Sequence, residues 1–181
     1  DGLNATEIAS AREAYDAQAR YGIDTLFNPR SPQRVVGTRD VTGPDAMHGT
    51  HVAGIIGALR DDGAAMQGIA PNVEIMAVRA VPDGDERDVD VARAIRYAVD
   101  NGAQIVNMSF GKGFSPAKAS VDSAVRYAEA KGVLLVHAAG NEGADNDDTP
   151  SYPTPVLSGG SRATNWIEVG ASSWKPLAAL P

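Results

Sequence analysis

Apolar residues recur at helical spacing at Ile8, Ala11, Tyr15 and Ala19, behind an Asn4 and a Glu7 placed as a capping box, and the run stops before Gly22. That pattern predicts an amphipathic helix over residues 5–20. From Gly22 to Pro44 the period disappears. Pro29, Pro32 and the Gly43–Pro44 pair break the chain, and apart from a short strand candidate at Val35–Val36 the segment reads as a long surface loop. The pattern then alternates between two kinds of element. A helix is predicted from His48 to about Leu59, an apolar strand at Val73–Ala80, and a helix from about Val89 to Asn101 that Gly102 ends. Gln104–Phe110 is a short β-rich run. Ser115–Pro116 supplies an N-cap and a proline at the first helical position for a helix that runs to Lys131, where Gly132 stops it. Val133–Ala138 and Ile167–Ala171 read as two further strands.

Val133, Leu134, Leu135 and Val136 follow one another with no polar alternation, as a parallel strand covered on both faces requires. The fold class is therefore α/β. Ligands of such folds bind beyond the carboxyl ends of the strands, which directs attention to the residues just after Val73–Ala80, Gln104–Phe110 and Val133–Ala138. No internal repeat or linker divides residues 1–181, and Lys175–Pro181 stop without a helix cap or polar tail, as a cut end would.

Composition narrows the partners. With 181 residues, 43% of them apolar and 6% aromatic, the chain suits one globular core and excludes disorder and collagen-like repeats. Its net charge of −7 repels nucleic acid and anionic membranes, so neither is expected as a partner. No apolar run approaches the roughly 18 residues of a membrane-spanning helix, and no signal-peptide pattern opens the chain. The absence of Cys removes disulfides, thiolate metal sites and thiol nucleophiles but leaves the compartment open.

Three segments could carry chemistry. The first is His48-Gly49-Thr50-His51-Val52-Ala53-Gly54 at a helix start. The positive end of a helix dipole disfavours imidazolium, which keeps a His there available as a neutral base, and the small neighbours would let the helix pack closely on a sheet. A purely structural His remains open, as does a zinc site that adds His137 to His48 and His51, although no His-Glu-x-x-His pattern is present. The second is His137-Ala138-Ala139-Gly140-Asn141-Glu142-Gly143, where a buried strand runs into small residues and an Asn. An Asn amide at a strand end can donate to a developing oxyanion; it can equally be a turn Asn in a left-handed conformation. The third, Asn107-Met108-Ser109-Phe110-Gly111, is either a plain strand exit or an exposed backbone edge onto which an extended peptide adds.

In order and spacing these segments resemble the subtilase family of serine peptidases. His-Gly-Thr-x-Val-Ala-Gly is the signature around that family's catalytic His and is intact at His48; Asn-Met-Ser-Phe-Gly resembles its substrate-binding strand; Ala-Ala-Gly-Asn resembles the segment that carries its oxyanion Asn, here Asn141. The resemblance extends from about residue 34 to residue 173. It implies a three-layer subtilisin-like fold around a mainly parallel sheet, incomplete here at both ends. It also implies a serine endopeptidase with an Asp/His/Ser triad and an acyl-enzyme intermediate, polypeptide substrates, and a secreted or periplasmic location. By implication His48 is catalytic and Asn141 holds the oxyanion. Ser109, Phe110 and Gly111 would pair with the substrate backbone, and Ala138, Ala139 and Gly140 would wall the pocket. His137 stands where the family has a small or apolar residue, and packing is expected of it.

The departures matter as much. Asp1-Gly2 looks like the last two positions of an Asp-Asp-Gly version of the catalytic Asp motif, which would place that Asp just before the chain. No Gly-Thr-Ser-Met-Ala follows Asn141, and Ser161 in Gly159-Gly160-Ser161-Arg162-Ala163 is expected to be an ordinary loop serine. The pattern reads as part of a longer peptidase, inactive as it stands, with a catalytically inactive peptide-binding domain as the alternative. Many relatives bind Ca²⁺, and acidic stretches occur at Asp83–Asp90 and Glu142–Asp148. Asp88 and Asp147 stand where an EF-hand loop needs Gly, so solvated acidic faces are expected and no metal ligand is assigned.

Overall fold

The computed structural model describes residues 4–6, 8, 9, 11, 12, 15, 39, 41, 42, 46–60, 63, 66–81 and 86–172. In chain order the elements are helix α1 (Met47–Gly57), helix α2 (Asp88–Asp100), strand β1 (Ile105–Met108), helix α3 (Lys118–Ala130), strand β2 (Leu134–Ala138) and strand β3 (Trp166–Val169). Ahead of them, residues 5, 6, 8, 9, 11, 12 and 15 are helical, and Oδ1 of Asn4 accepts the Thr6 N–H at 3.0 Å, the N-cap that its position predicts. Glu7, most of the loop expected over 22–44 with its strand candidate, and residues 175–181 lie outside the described residues.

Helices α2 and α3 follow one plan. Val91, Ala92, Ile95, Ala98 and Val99 fall on one buried stripe of α2, and Val121, Ala124, Val125 and Ala128 on one of α3. The stripes meet, and with Met108, Val133, Leu135, Leu157 and Ala163 they make the core. A buried Val or Leu contributes about 1.5–3 kcal/mol relative to an exposed one. Each helix closes at a glycine in the left-handed region, Gly102 at φ +89 and Gly132 at φ +71. The next N–H, of Ala103 and of Val133, then reaches back to Ala98 O at 2.9 Å and to Ala128 O at 3.0 Å, and the chain turns straight into a strand.

The three strands are parallel in the order β1-β2-β3. Met108 lies opposite His137, and His137 opposite Glu168. Because side chains alternate along a strand, Val106, Met108, Leu135, His137, Trp166 and Glu168 share the face that packs with the helices. The other face presents Ile105, Ile167 and Val169, all exposed. Strand β2 thus alternates buried and half-buried residues instead of being covered on both faces, and among the described elements no helix is packed extensively over the second face.

Three local expectations are corrected. Residues 73–80 form no strand, because a strand exists only through a neighbouring ladder and no described segment pairs with this one. Val73 and Ile75 lie instead against Gly57 of α1. Helix α3 starts at Lys118 rather than at the Ser115–Pro116 signal, and Ala117, its N-cap, has no side-chain cap bond. The Ala117 N–H is taken at 2.6 Å by Oδ2 of Asp88, the first residue of α2, so the anchor is tertiary and not local. Helix α1 ends earlier than expected, buries none of its residues, and rests on the segment that follows it rather than on the sheet. The N–H groups of Gly68, Ile69 and Ala70 donate to the carbonyls of Ala58, Ile55 and Ile56 at 2.9, 3.0 and 2.8 Å.

Candidate functional site

Strands β1 and β2 are adjacent and parallel, so their carboxyl ends emerge side by side. Past β1, Asn107 Nδ2 donates to Ser109 Oγ at 3.0 Å, and Phe110 continues the helix-covered face. Lys112 and Tyr152 then exchange backbone hydrogen bonds, Lys112 N–H to Tyr152 O at 3.0 Å and Tyr152 N–H to Lys112 O at 2.8 Å. That bridge sets Ser151 beside Gly111, where any Cβ would overlap the Ser151 Oγ. Past β2, the Ala139 N–H extends the ladder to Val169 O at 2.9 Å, and Gly140 leaves it at φ +98, a conformation that suits a residue without a Cβ. A Cβ on Gly140 would lie 3.9 Å from the same Ser151 Oγ. It would also come within 2.6 Å of Glu142 Oε2, so Ser151 and Glu142 fill the space beside the two glycines.

The strand ends thus set Ser109, Phe110 and Gly111 beside Ala138, Ala139 and Gly140, with Ser151 near the two glycines. Asn141 follows, exposed; its N–H donates to Glu142 Oε2 at 2.8 Å, and its side-chain amide has no partner among the described residues. Ser151 was not legible beforehand, since nothing in Pro150-Ser151-Tyr152 distinguishes it from any other loop serine. His48 lies on α1, exposed and without a hydrogen-bond partner among the described residues, and no packing of elements ties α1 to the ends of β1 and β2.

His137 is fully buried on the helix-covered face of β2. Its Nδ1 lies 3.3 Å from Glu168 Oε1, its ring centroid is 5.4 Å from that of Trp166, and the Phe110 ring meets it edge-on at 6.5 Å. Its Nε2 has no hydrogen-bond partner. Among the described residues no group of three or more His, Cys, Asp or Glu could hold a metal ion, and the His137 ring packs between Phe110 and Trp166.

The acidic stretches divide. Residues 142–148 are mostly exposed, and Asp145 Oδ1 accepts the Asp147 N–H at 3.0 Å, which makes the stretch a side-chain-supported turn. The solvated face expected at Asp83–Asp90 is corrected at Glu86 and Asp88, both buried. At Asp88 the reason is Lys112, whose Nζ lies 2.8 Å from Asp88 Oδ1, so a buried charge meets an opposite one; the same Nζ donates to the backbone carbonyl of Glu86 at 2.7 Å. Asp88 and Asp145 have oxygens committed to an ammonium or to backbone N–H groups, which does not suit a Ca²⁺ ligand, and no step below passes through such an ion.

The model of the subtilase family matches residues 19–177. The chain is 40% identical over 115 residues to the thermophilic serine proteinase of Bacillus sp. (strain AK1), a match that covers 63% of this chain and 28% of that protein. It is 35% identical over 133 residues to thermitase of Thermoactinomyces vulgaris, across 73% of this chain and 42% of that protein. Among solved structures it is similar to Sphericase, with a TM-score of 0.54 and 36% identity over 67% of this chain and 38% of that one. The chain spans less than half the length of each.

Proposed function

Because the chain belongs to the subtilase family, we propose that the protein is a secreted serine endopeptidase that cleaves polypeptides through an acyl-enzyme intermediate. A serine hydroxyl attacks the scissile carbonyl carbon while His48 takes its proton, and His48 then gives that proton to the leaving amine. Water, deprotonated by the same ring, releases the acyl group. Asn141 donates its amide N–H to the carbonyl oxygen once that oxygen carries negative charge. Ser109, Phe110 and Gly111 pair with the extended substrate backbone, and Ala138, Ala139 and Gly140 wall the pocket for the side chain before the scissile bond. The observation that carries the reading is the side-by-side exit of Ser109–Gly111 and Ala138–Gly140 from two adjacent parallel strands, with an uncommitted Asn141 amide one residue further on. Supporting a secreted location, the relative from Bacillus subtilis (strain 168), 44% identical over 115 residues, is named a minor extracellular protease.

The full-length gene product tests this. It should hydrolyse peptide p-nitroanilides and take a fluorophosphonate label, whereas the 181-residue chain alone should take none, at Ser161 or elsewhere. His48→Ala in the full-length protein should abolish turnover and leave the affinity for a peptide aldehyde within about twofold, since a proton carrier acts in the transition state. His51→Ala, at an exposed residue of α1, should leave turnover near the wild-type level and change stability by no more than about 0.5 kcal/mol. Equal loss in both variants together with bound zinc would overturn the assignment, and a full-length protein that binds peptides but cleaves none would favour an inactive peptide-binding domain.

A further inference from the structure

Within the turn at 142–148, Asn146 is the half-buried residue whose side chain points away from solvent. Its Nδ2 donates to Ala139 O at 2.9 Å and to Glu168 Oε1 at 3.2 Å. One amide thus joins the wall of the cleft to a carboxylate on β3. That carboxylate is held from two other directions, by Trp166 Nε1, which donates to Oε2 at 2.8 Å, and by His137 Nδ1, 3.3 Å from Oε1. Asn146 is itself presented by the Asp145 turn, in which Thr149 N–H returns to Asp145 O at 2.8 Å.

The position of the clamp matters because of what lies beyond it. The β2–β3 ladder ends with the Ala139 N–H on Val169 O. The next residue is Gly140, at φ +98, and with no Cβ its backbone has little steric preference of its own. The Ala139 carbonyl and the Gly140 N–H belong to one peptide plane. Holding that oxygen therefore fixes ψ of Ala139 and φ of Gly140, two of the torsions through which the chain reaches Asn141. A loose plane there would swing the Asn141 amide, and misplacement of a reacting group by about 1 Å can cost about a hundredfold in rate.

We propose that Asn146 is a positioning residue for the oxyanion donor: by tying Ala139 O to the Glu168 carboxylate it fixes the peptide plane that aims Asn141. The catalytic meaning of this clamp rests on the reading of Asn141 given above. Steady-state kinetics of the full-length protein on a peptide p-nitroanilide, with Asn146→Asp and Asn146→Ala made alone and on top of Asn141→Leu, test it. Alone, each should lower kcat about ten- to a hundredfold with KM within about twofold. On top of Asn141→Leu neither should lower kcat further, because the clamp acts through that amide. Unchanged kcat in the single variants, or losses that multiply with that of Asn141→Leu, would overturn the proposal. Glu168→Ala, which removes the carboxylate that Asn146 ties to Ala139 O, carries the same comparison should both Asn146 variants fail to fold. A readout without catalysis separates the clamp from the endopeptidase reading: ¹⁵N relaxation should find Gly140 and Asn141 ordered in the wild type and mobile in the folded variant. Equal order in both would sink the clamp. Peptidase activity absent from the wild-type full-length protein would sink the endopeptidase reading and the catalytic role of Asn146 with it.

Discussion

At the scale of single residues, Asn141 divides ground-state from transition-state binding. Its amide has no partner among the described residues, so the fold gains nothing from it and a substrate oxygen can use it. An interaction made only with a negatively charged tetrahedral oxygen cannot help to bind the substrate. Asn141→Leu in the full-length protein should therefore lower kcat about 10²–10³-fold, roughly 2.7–4 kcal/mol, a magnitude measured on a subtilisin and carried over from it, with KM little changed. A rise in KM at constant kcat would make Asn141 a substrate-binding residue. Lower thermal stability with normal activity would make it a turn residue and nothing more. Two nearby side chains follow the opposite rule. Glu168 and His137 are committed to partners inside the fold, and the polar atoms they bury are of use only where those partners stay in place.

At the scale of elements, packing and backbone conformation can be weighed separately. Leu135 is fully buried between α3 and the sheet, and Leu135→Ala should cost about 2–5 kcal/mol in urea unfolding. Gly132 closes α3 at φ +71 with nothing within 4 Å of a new Cβ, so Gly132→Ala pays only the left-handed backbone term, about 1–2 kcal/mol. If Gly132→Ala cost as much as Leu135→Ala, the glycine would be serving packing and not the cap. These elements were legible because their signals are local: apolar stripes in α2 and α3, glycines at both helix ends, β-branched residues in β1 and β2. What was not legible is non-local. The residue that anchors the start of α3 is Asp88, far back in the sequence, and Ser115–Pro116 gave no hint of it. Residues 73–80 have a strand's composition, yet composition does not supply the partner that makes a strand. In the site, small residues and motif spacing marked Gly111, Gly140 and Asn141, whereas Ser151 arrives through the Lys112–Tyr152 bridge and Glu168 meets His137 and Asn146 only when β2 and β3 are in register.

At the scale of the whole molecule, the sheet and helices are tied to the loop that carries the chain from the cleft to β3, and two carboxylates of α3 make that joint. Glu129 Oε1 accepts the Thr164 N–H at 2.7 Å and the Thr164 hydroxyl at 2.6 Å, and these bonds hold its carboxyl below the usual carboxylate range. Asp122 Oδ1 lies 2.6 Å from Lys118 Nζ, and its Oδ2 accepts the Ser158 N–H and hydroxyl at 2.6 Å each. Burial works to raise the Asp122 carboxyl, but the bonds from Lys118 and Ser158 outweigh it and hold the group below its ordinary 3.8. A carboxyl lowered on folding favours the folded state where it is ionised. Its contribution is complete above the unfolded value near 3.8 and is lost as the pH falls through the lower folded one. Urea unfolding should therefore show stability falling steeply below about pH 4. Asp122→Asn, which keeps the shape and removes the charge, should cost about 1–3 kcal/mol at pH 7 and flatten that fall. The gap between the variant and the wild type should close in acid, since both then carry a neutral group at this joint. A gap that persists unchanged at pH 2 would show that Asp122 acts through shape alone.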